Sequence, residues 1–324
     1  MQNSGLKIIA ALILLLMPQM VLAAGINDPA RIGIGARSIA MGKTTINRNE
    51  IGSIFVNPAN STTLDTGGIT SMQASVAEDV VYTFVGVGIP TPRIHLGFGF
   101  LSSGIASIYR SIPDASGRFV PNGTMDYSNN VIMMVIGQRI STRLTLGQTI
   151  KVYSRSMGVS GGTATGVDMD FGMLYKIGET INFGLTLQNI IPMNYSALRW
   201  TNGTEEDIPT VVRGGVNVAP REDINITADL DVVPDTPSTY RAGVEKSIGK
   251  VLALRGGIEY LPVGKTSYSA NLTAGVGLKF YQLCFDYAYY MDNTLSENST
   301  HFFSISYRFP FLKIESQPIF RAQN

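Results

Sequence analysis

Beyond Asn60 the chain alternates between apolar and polar positions, and it does so over nearly its whole remaining length. Ile94, Leu96, Phe98 and Phe100 oppose His95, Gly97 and Gly99. Leu144, Leu146, Ile150 and Val152 oppose Thr145, Thr149, Lys151 and Arg155. Val167, Met169, Phe171, Met173 and Tyr175 oppose Asp168 and Asp170. The second half continues in the same way, down to Phe303, Ile305, Tyr307 and Phe309 against Ser304, Ser306 and Arg308. A period of two predicts strands with one apolar and one polar face. About fourteen such strands of roughly ten residues fit the chain, an even number suited to a closed barrel. One stretch, 125–140, is apolar on both faces, so its register stays ambiguous.

The connections fall into two classes. Pro90 to Arg93, Ser141 to Arg143, Gly178 to Thr180, Pro220 to Asp223 and Gly249-Lys250 are tight. Most of the connections between them are longer, including a polar loop through Pro113-Asp114, Ser116-Gly117 and Pro121-Asn122-Gly123, and another from Ile191 to Pro209 that holds the single tryptophan, Trp200. In an up-and-down barrel, successive connections lie on opposite rims, so one rim carries short turns and the other long loops, as in outer-membrane barrels.

The segment before the strands is different. Gly35-Ala36-Arg37-Ser38-Ile39-Ala40-Met41-Gly42 and Asn49 to Asn60 do not alternate, and small residues recur in the first of them. Pro58 withdraws a backbone donor and biases Asn57 away from helix. The segment reads as a compact, mostly non-strand piece that needs a container, and the strands supply one.

Composition narrows the class. Of 324 residues, 15% are charged and 44% hydrophobic, with a net charge of +1; soluble domains carry about 25% charged residues. Low charge with moderate hydrophobicity suits a transmembrane barrel, in which only alternate residues face lipid. The near-zero net charge offers no case for nucleic-acid binding. Cys284 is the single cysteine, which excludes an internal disulfide. Lys7, the apolar run Ile8 to Met17 and Val21-Leu22-Ala23-Ala24 predict a cleaved signal peptide over 1–24. The expected organisation is a signal peptide (1–24), an N-terminal plug or hatch (25–65), a barrel (66–310) and a C-terminal tail (311–324). The fold class is all-β: a closed antiparallel transmembrane β-barrel with an N-terminal plug. A soluble sandwich of two sheets also presents one apolar face per strand. Strand number, leader and loop asymmetry favour the barrel.

Gly35, Arg37, Ala40, Met41 and Gly42, followed fifteen residues on by Asn57-Pro58-Ala59, resemble the N-terminal signature of FadL-type outer-membrane barrels, and most of all the shorter PorV/PorQ branch of that superfamily. The family's acidic pair ahead of the triplet is Asn49-Glu50 here, and its following glycine is Asn60. The resemblance implies that Gly35, Arg37, Met41, Gly42, Asn57, Pro58 and Ala59 form a hatch, with both termini periplasmic and the wall in contact with outer-membrane lipid. It implies one of two functions. FadL-like proteins pass hydrophobic small molecules; PorV/PorQ-like barrels partner the type IX secretion machinery and shuttle or attach secreted proteins. The sequence leaves both open.

On the alternation, Asp168, Asp170, Arg213, Asp229, Asp231, Arg241, Glu245, Arg255, Glu259, Lys279, Asp286 and Arg308 face the lumen. A salt-bridged polar interior is the plain expectation for them. The carboxylate pairs Asp168/Asp170 and Asp229/Asp231 would hold calcium only if further oxygen ligands converged, and no such convergence is legible; no metal or cofactor is expected. Catalysis needs an activated nucleophile or an oriented base, and neither His95 nor His301 has a patterned partner, so the chain does not read as an enzyme. A buried Arg37 requires a counter-charge, and Asp229, Asp231, Glu245, Glu259 and Asp286 are the best-placed candidates. Tyr260, Tyr287, Tyr289, Tyr307 and Phe309 are candidates for an interfacial aromatic girdle.

Overall fold

A computed structural model of the chain describes residues 28–46, 49–76, 79–158, 162–191, 198–234, 236–263, 267–293 and 299–313. The expected signal peptide and the tail from residue 314 lie outside the described residues. The strands are β1 Thr66–Val76, β2 Val80–Pro90, β3 His95–Pro113, β4 Phe119–Arg139, β5 Leu144–Met157, β6 Gly162–Ile177, β7 Ile181–Gln188, β8 Leu198–Trp200, β9 Glu205–Glu206, β10 Val211–Arg221, β11 Ile224–Val232, β12 Thr239–Ile248, β13 Leu252–Val263, β14 Ser267–Phe280, β15 Leu283–Met291 and β16 Ser299–Lys313. Setting aside the short β8 and β9, each strand pairs antiparallel with its neighbours in sequence, and β16 pairs with β1 to close the ring. The result is a fourteen-stranded barrel. Closure leaves no unpaired sheet edge around the ring, which is what lets strands stand in hydrocarbon.

The outer surface is apolar. Phe98, Ile132, Val167, Leu254, Leu272, Phe303 and Ile305 are all exposed on it. Tyr260 stacks on Tyr268 outside the barrel, their ring centroids 4.7 Å apart, and Tyr240 lies beside them. Amphipathic rings grouped in this way suit a membrane–water boundary.

Tight turns follow β2, β4, β6, β10, β12 and β14, all on one rim. The opposite rim differs from expectation in two places. β3 and β4 run on through most of the stretch expected as a polar loop, pairing from Ile108↔Met125 to Pro113↔Phe119, so that the loop shrinks to Asp114–Arg118. Beyond Gly104 and before Tyr127 neither strand has another neighbour, and a two-stranded ribbon projects from the barrel. Its polar sequence carries no burial pattern, so alternation gave no warning of it. Second, the loop holding Trp200 contains β8 and β9, a small hairpin paired to β6 through Ala164↔Trp200 and Thr165↔Arg199. On the short-turn rim, β16 continues past Phe309 to Lys313 and takes in the first residues expected as tail.

Residues 28–46 and 49–64 sit inside this ring. Among them Ile34, Ala36, Ile39, Ala40, Met41, Ile46, Ile54 and Ala59 have no more than 1% of their surface exposed. They form short turns: a 3-10 turn Pro29–Ile32, the five-residue helix α1 Ala36–Ala40, and further 3-10 turns Gly52–Phe55 and Pro58–Thr63.

Candidate functional site

The interior is assembled from the plug outward. Asp28 caps the first turn, accepting from the Ala30 amide at 2.9 Å. Gly33, Gly35 and Gly42 hold positive φ on either side of α1. At Gly42 there is also no room: a Cβ would fall 2.6 Å from the Ile258 carbonyl oxygen and 2.7 Å from that of Ala242. The small face of α1 lets wall side chains bond directly to plug backbone. Ser304 Oγ accepts from the Ala36 amide at 2.9 Å, and Thr273 Oγ1 donates to the Ala40 carbonyl at 2.9 Å. Further along, Asn57 is the N-cap of the last turn, with Pro58 at the first helical position; its Oδ1 accepts from the Ala59 amide at 3.0 Å. Both choices suit a turn whose first amides have no internal partner. Asn60 fastens the two halves of the plug, donating to the carbonyls of Thr45 (2.7 Å) and Ser53 (3.1 Å).

The wall is cut to receive this segment. At many of the points where the plug backbone and its apolar side chains approach, the inward position is glycine. A Cβ at Gly99 would lie 2.6 Å from the Phe55 ring, at Gly97 2.6 Å from Ile54, at Gly147 2.6 Å from the Ala59 amide nitrogen, at Gly172 2.8 Å from Pro58 and at Gly243 2.7 Å from Met41 Cα. These glycines are registered across strands: Gly68↔Gly88↔Gly97, Gly86↔Gly99, Gly137↔Gly147↔Gly172 and Gly243↔Gly257. A belt without side chains thus runs round much of the lumen at the level of the plug. Glycine has no hydropathic sign, so alternation does not reveal the belt; its signal in the sequence is one inward glycine recurring on successive strands.

Charge divides the lumen. On β5, β6 and β10 to β15 the inward positions carry ionised groups, and most of the polar residues singled out from sequence meet there. Arg37 of the plug forks onto Glu245, with Nε to Oε2 at 2.7 Å and Nη2 to Oε1 at 2.6 Å. Glu245 also accepts from Arg255 at 2.6 Å, and Arg255 donates to Asp286 at 2.7 Å. Lys43 pairs with Glu259 at 3.0 Å, Glu259 accepts from Arg241 at 2.8 Å, and Arg241 and Arg213 share Asp231. Asp229 takes the Thr45 amide (2.6 Å) and hydroxyl (2.8 Å). Asp170 pairs with Lys151 at 2.6 Å, and Asp168 accepts from the amides of Met169 and Ile191. Buried charges are tolerated only when paired and hydrogen-bonded in this manner. Two residues stand apart. Lys279 has the inward phase but lies exposed at the short-turn rim. Arg308 donates to Asn49, at Oδ1 (3.1 Å) and at the carbonyl.

The remaining arc, β15 and β16 through β1 to β5, turns an apolar face inward. Met72, Tyr82, Phe84, Leu101, Val131, Met133, Tyr153 and Phe302 are buried there against Ile34, Ile39, Ile54 and Phe55 of the plug. Phe55 meets Phe84 edge to face at 5.1 Å, and Tyr82 donates to the Gly33 carbonyl at 2.9 Å. None of these wall residues stood out in the sequence. β4 around Val131 and Met133 is apolar on both faces, so alternation could not say which face was inside; Met72, Leu101, Tyr153 and Phe302 instead share the inward phase with polar residues, Thr70, Ser103, Arg155 and Ser304.

The long-loop end is covered by the β8–β9 hairpin. Arg155 donates to both carboxylate oxygens of Glu206 at 2.6 Å, and Trp200 Nε1 donates to Glu206 Oε2 at 3.2 Å. Leu198 and Ile208 pack into the apolar core beneath. His95, His301 and Cys284 do not converge: His301 bonds Tyr287 on the outer face at 2.8 Å, and Cys284 is half-buried on β15. Among the described residues no group of three or more metal-ligating side chains forms.

Comparison with solved structures finds this architecture in channels. The toluene transporter TbuX of Ralstonia pickettii superposes with a TM-score of 0.61 over 86% of this chain and 98% of its own, at 14% identity. The toluene transporter TodX of Pseudomonas putida gives 0.62 over 90% and 99%, at 14% identity. A FadL homologue of Pseudomonas aeruginosa gives 0.60 over 90% and 100%, at 12% identity. At these identities the likeness shows a shared fold, that of FadL-type hydrocarbon-transporter barrels. No family model matches the chain, and no curated protein matches it.

Proposed function

We propose that this chain is a plugged channel of the bacterial outer membrane that passes hydrophobic small molecules, with both termini periplasmic. The observation that carries the reading is the apolar half of the lumen. A water-filled pore is polar inside, whereas here Tyr82, Phe84, Leu101, Val131 and Met133 face the interior on adjacent strands. An uncharged cargo moving along that arc stays in contact with apolar surface. The charged arc opposite holds the plug, with Gly35, Arg37, Met41, Gly42, Asn57, Pro58 and Ala59 as the parts of a hatch. The fold shared with proteins named as toluene transporters supports the cargo class, and it supports a channel over an enzyme. Uptake of labelled toluene by cells with and without the chain tests the reading: a faster initial rate with the chain supports it, and equal rates remove it.

A second reading rests on the projecting ribbon of β3 and β4. Tyr109 is 90% exposed and Phe119 74% exposed on it, and its two strand edges are unpaired, a form open to strand addition by another chain. This favours the PorV/PorQ-like role, in which the barrel engages secreted proteins of the type IX pathway. Deleting residues 106–125 would then abolish surface display of cargo and leave hydrocarbon uptake intact.

A further inference from the structure

The outward face of β1 is polar where its neighbours are apolar. Ser71, Gln73 and Ser75 are exposed on it. Ser71 pairs with Ile305 and Val85, and the pairing continues to Phe285 and Leu278 on one side and to Phe100 and Ile132 on the other. Ser71 is thus a gap in an apolar row. Gln73 stands midway between the rims. Followed from partner to partner, its row reaches Lys246, beside the short turn after β12, in five steps through Phe303 and Tyr287; the other way it reaches Thr165, near the long-loop end of β6, in five steps through Thr83 and Ser102. A row that climbs from one rim to the other is what strand tilt produces.

Hydrocarbon offers these groups no partner. Among the described residues neither Ser71 nor Gln73 makes a side-chain hydrogen bond. An unsatisfied amide at that depth is costly, and polar side chains in a bilayer bond across to a neighbouring protein segment. Lipid chains and a hydrocarbon cargo carry no donor or acceptor, so neither satisfies Gln73. His301 is a partner of the right kind. It lies on β16 opposite Ser75, two residues from Phe303, the partner of Gln73. Its Nδ1 bonds Tyr287, which leaves the other ring nitrogen unoccupied among the described residues. A glutamine amide can donate to that nitrogen or accept from it, whichever tautomer is present.

Shape points the same way. The small side chains of Ser71 and Ser75 make β1 a furrow, and β16 beside it carries a ridge of Phe303, Ile305 and Tyr307, all exposed. A furrow and a ridge side by side on one face are complementary to a second copy of that face turned about a two-fold axis. We propose that β16, β1 and β2 form the interface of a homodimer within the membrane, with its two-fold axis along the membrane normal. Each ridge enters the furrow of the other copy, and each Gln73 bonds His301 of the second copy. The dimer presupposes the membrane setting of the barrel and is independent of what the channel carries.

The test uses the full chain in its membrane, in a Cys284→Ser background. Ser71→Cys is expected to cross-link with a short bismaleimide to a species of twice the chain's mass. Gln148→Cys, on the outward face of β5 between Ile136 and Phe171 of the neighbouring strands, is expected to stay single. In lipid vesicles, energy transfer between labelled copies reports association. Gln73→Leu and His301→Phe are each expected to weaken it about tenfold, the order of two hydrogen bonds made within a bilayer, while Gln148→Leu leaves it unchanged. Absence of the doubled species from Ser71→Cys overturns the proposal, as does a cross-linked species of another mass, or association of Gln73→Leu equal to that of the parent. Should Ser71→Cys fail to insert, Ser75→Cys on the same furrow takes its place. Outer-membrane fractionation checks the setting separately: a soluble chain removes the setting and the dimer with it, whereas an inserted chain without the doubled species removes the dimer alone.

Discussion

Arg37 of the plug and Glu245 of β12 meet through two parallel hydrogen bonds, at 2.7 and 2.6 Å. Glu245 holds Arg255 in turn, so the plug is fastened to a wall network rather than to a single side chain. Removing one partner of a buried pair costs about 3–5 kcal/mol, and the 19% exposure of the Arg37 side chain puts this pair at the lower end. Arg37→Ala is expected to raise single-channel conductance and antibiotic sensitivity while the barrel still inserts. Arg37→Lys, which keeps the charge and loses the fork, is expected to fall between. Planar-bilayer recordings of the three proteins check the order, and parental conductance in Arg37→Ala would remove the tether.

Asn57 acts locally. Its cap on the Ala59 amide is fully buried, so Asn57→Ala forfeits about 1 kcal/mol of cap and leaves a donor unpaired. A smaller rise in conductance than for Arg37→Ala is expected, together with faster protease cleavage between residues 50 and 64 in inserted barrels. Cleavage at the parental rate would speak against it.

The glycine belt gives a steric test. Gly243→Val places carbon atoms where Met41 backbone lies, and Gly147→Val does so where Pro58 and Ala59 lie. Neither position can yield cheaply, since the obstacle is main chain. Both variants are expected to form heat-modifiable barrels with a displaced plug and a raised, noisy conductance. Gly214→Ala on β10, where a Cβ would meet nothing within 4 Å, is expected to behave as the parent. A quiet Gly243→Val channel would contradict the fit described here.

Much of this was legible in the sequence, and the rest was hidden for definite reasons. Alternation located Asp229, Asp231, Glu245 and Glu259 on the inner face, because a charged residue every second position has one tolerable side. It was silent on Val131, Met133 and Val135, where both faces are apolar and the sign is missing. It was silent also on Gly137, Gly147 and Gly172, which are defined by what they lack. The ribbon of β3 and β4 has no interior, so its polar residues look like loop although their backbones are paired. The pairing of Arg37 with Glu245 needs the third dimension, since 208 residues separate them.

Glu50 is expected to make seating of the plug pH-dependent. Its carboxyl is raised from 4.5 to about 7, first by burial and then by Asp286 and Glu245, while Arg37, 3.8 Å away, and Arg255 hold it down. Arg308 approaches from β16 but bonds Asn49. A raised carboxyl binds its proton more tightly with the plug seated than with the plug released into water. Seating is therefore strongest below about pH 4.5 and weakens as pH rises through 7, by roughly 3 kcal/mol in all. Leak conductance is expected to climb between pH 5 and pH 8 (about the span of the titration) and to lose that slope in Glu50→Gln. A leak that falls with rising pH would contradict this role of Glu50.

Cargo is expected to pass through the lumen only when the plug moves. Ala36 on α1 and Ser304 on β16 are joined by a hydrogen bond of 2.9 Å, which makes them a site for a lock. Ala36→Cys with Ser304→Cys, in a Cys284→Ser background, ties plug to wall under oxidation and frees it under reduction. The direct measurement is the initial rate of labelled toluene uptake by cells carrying this variant, before and after reduction. Uptake at the background rate is expected when the variant is oxidised, with recovery to the Cys284→Ser rate when it is reduced. Uptake by the oxidised variant as fast as by the reduced one, with the disulfide verified by mass spectrometry, would contradict it.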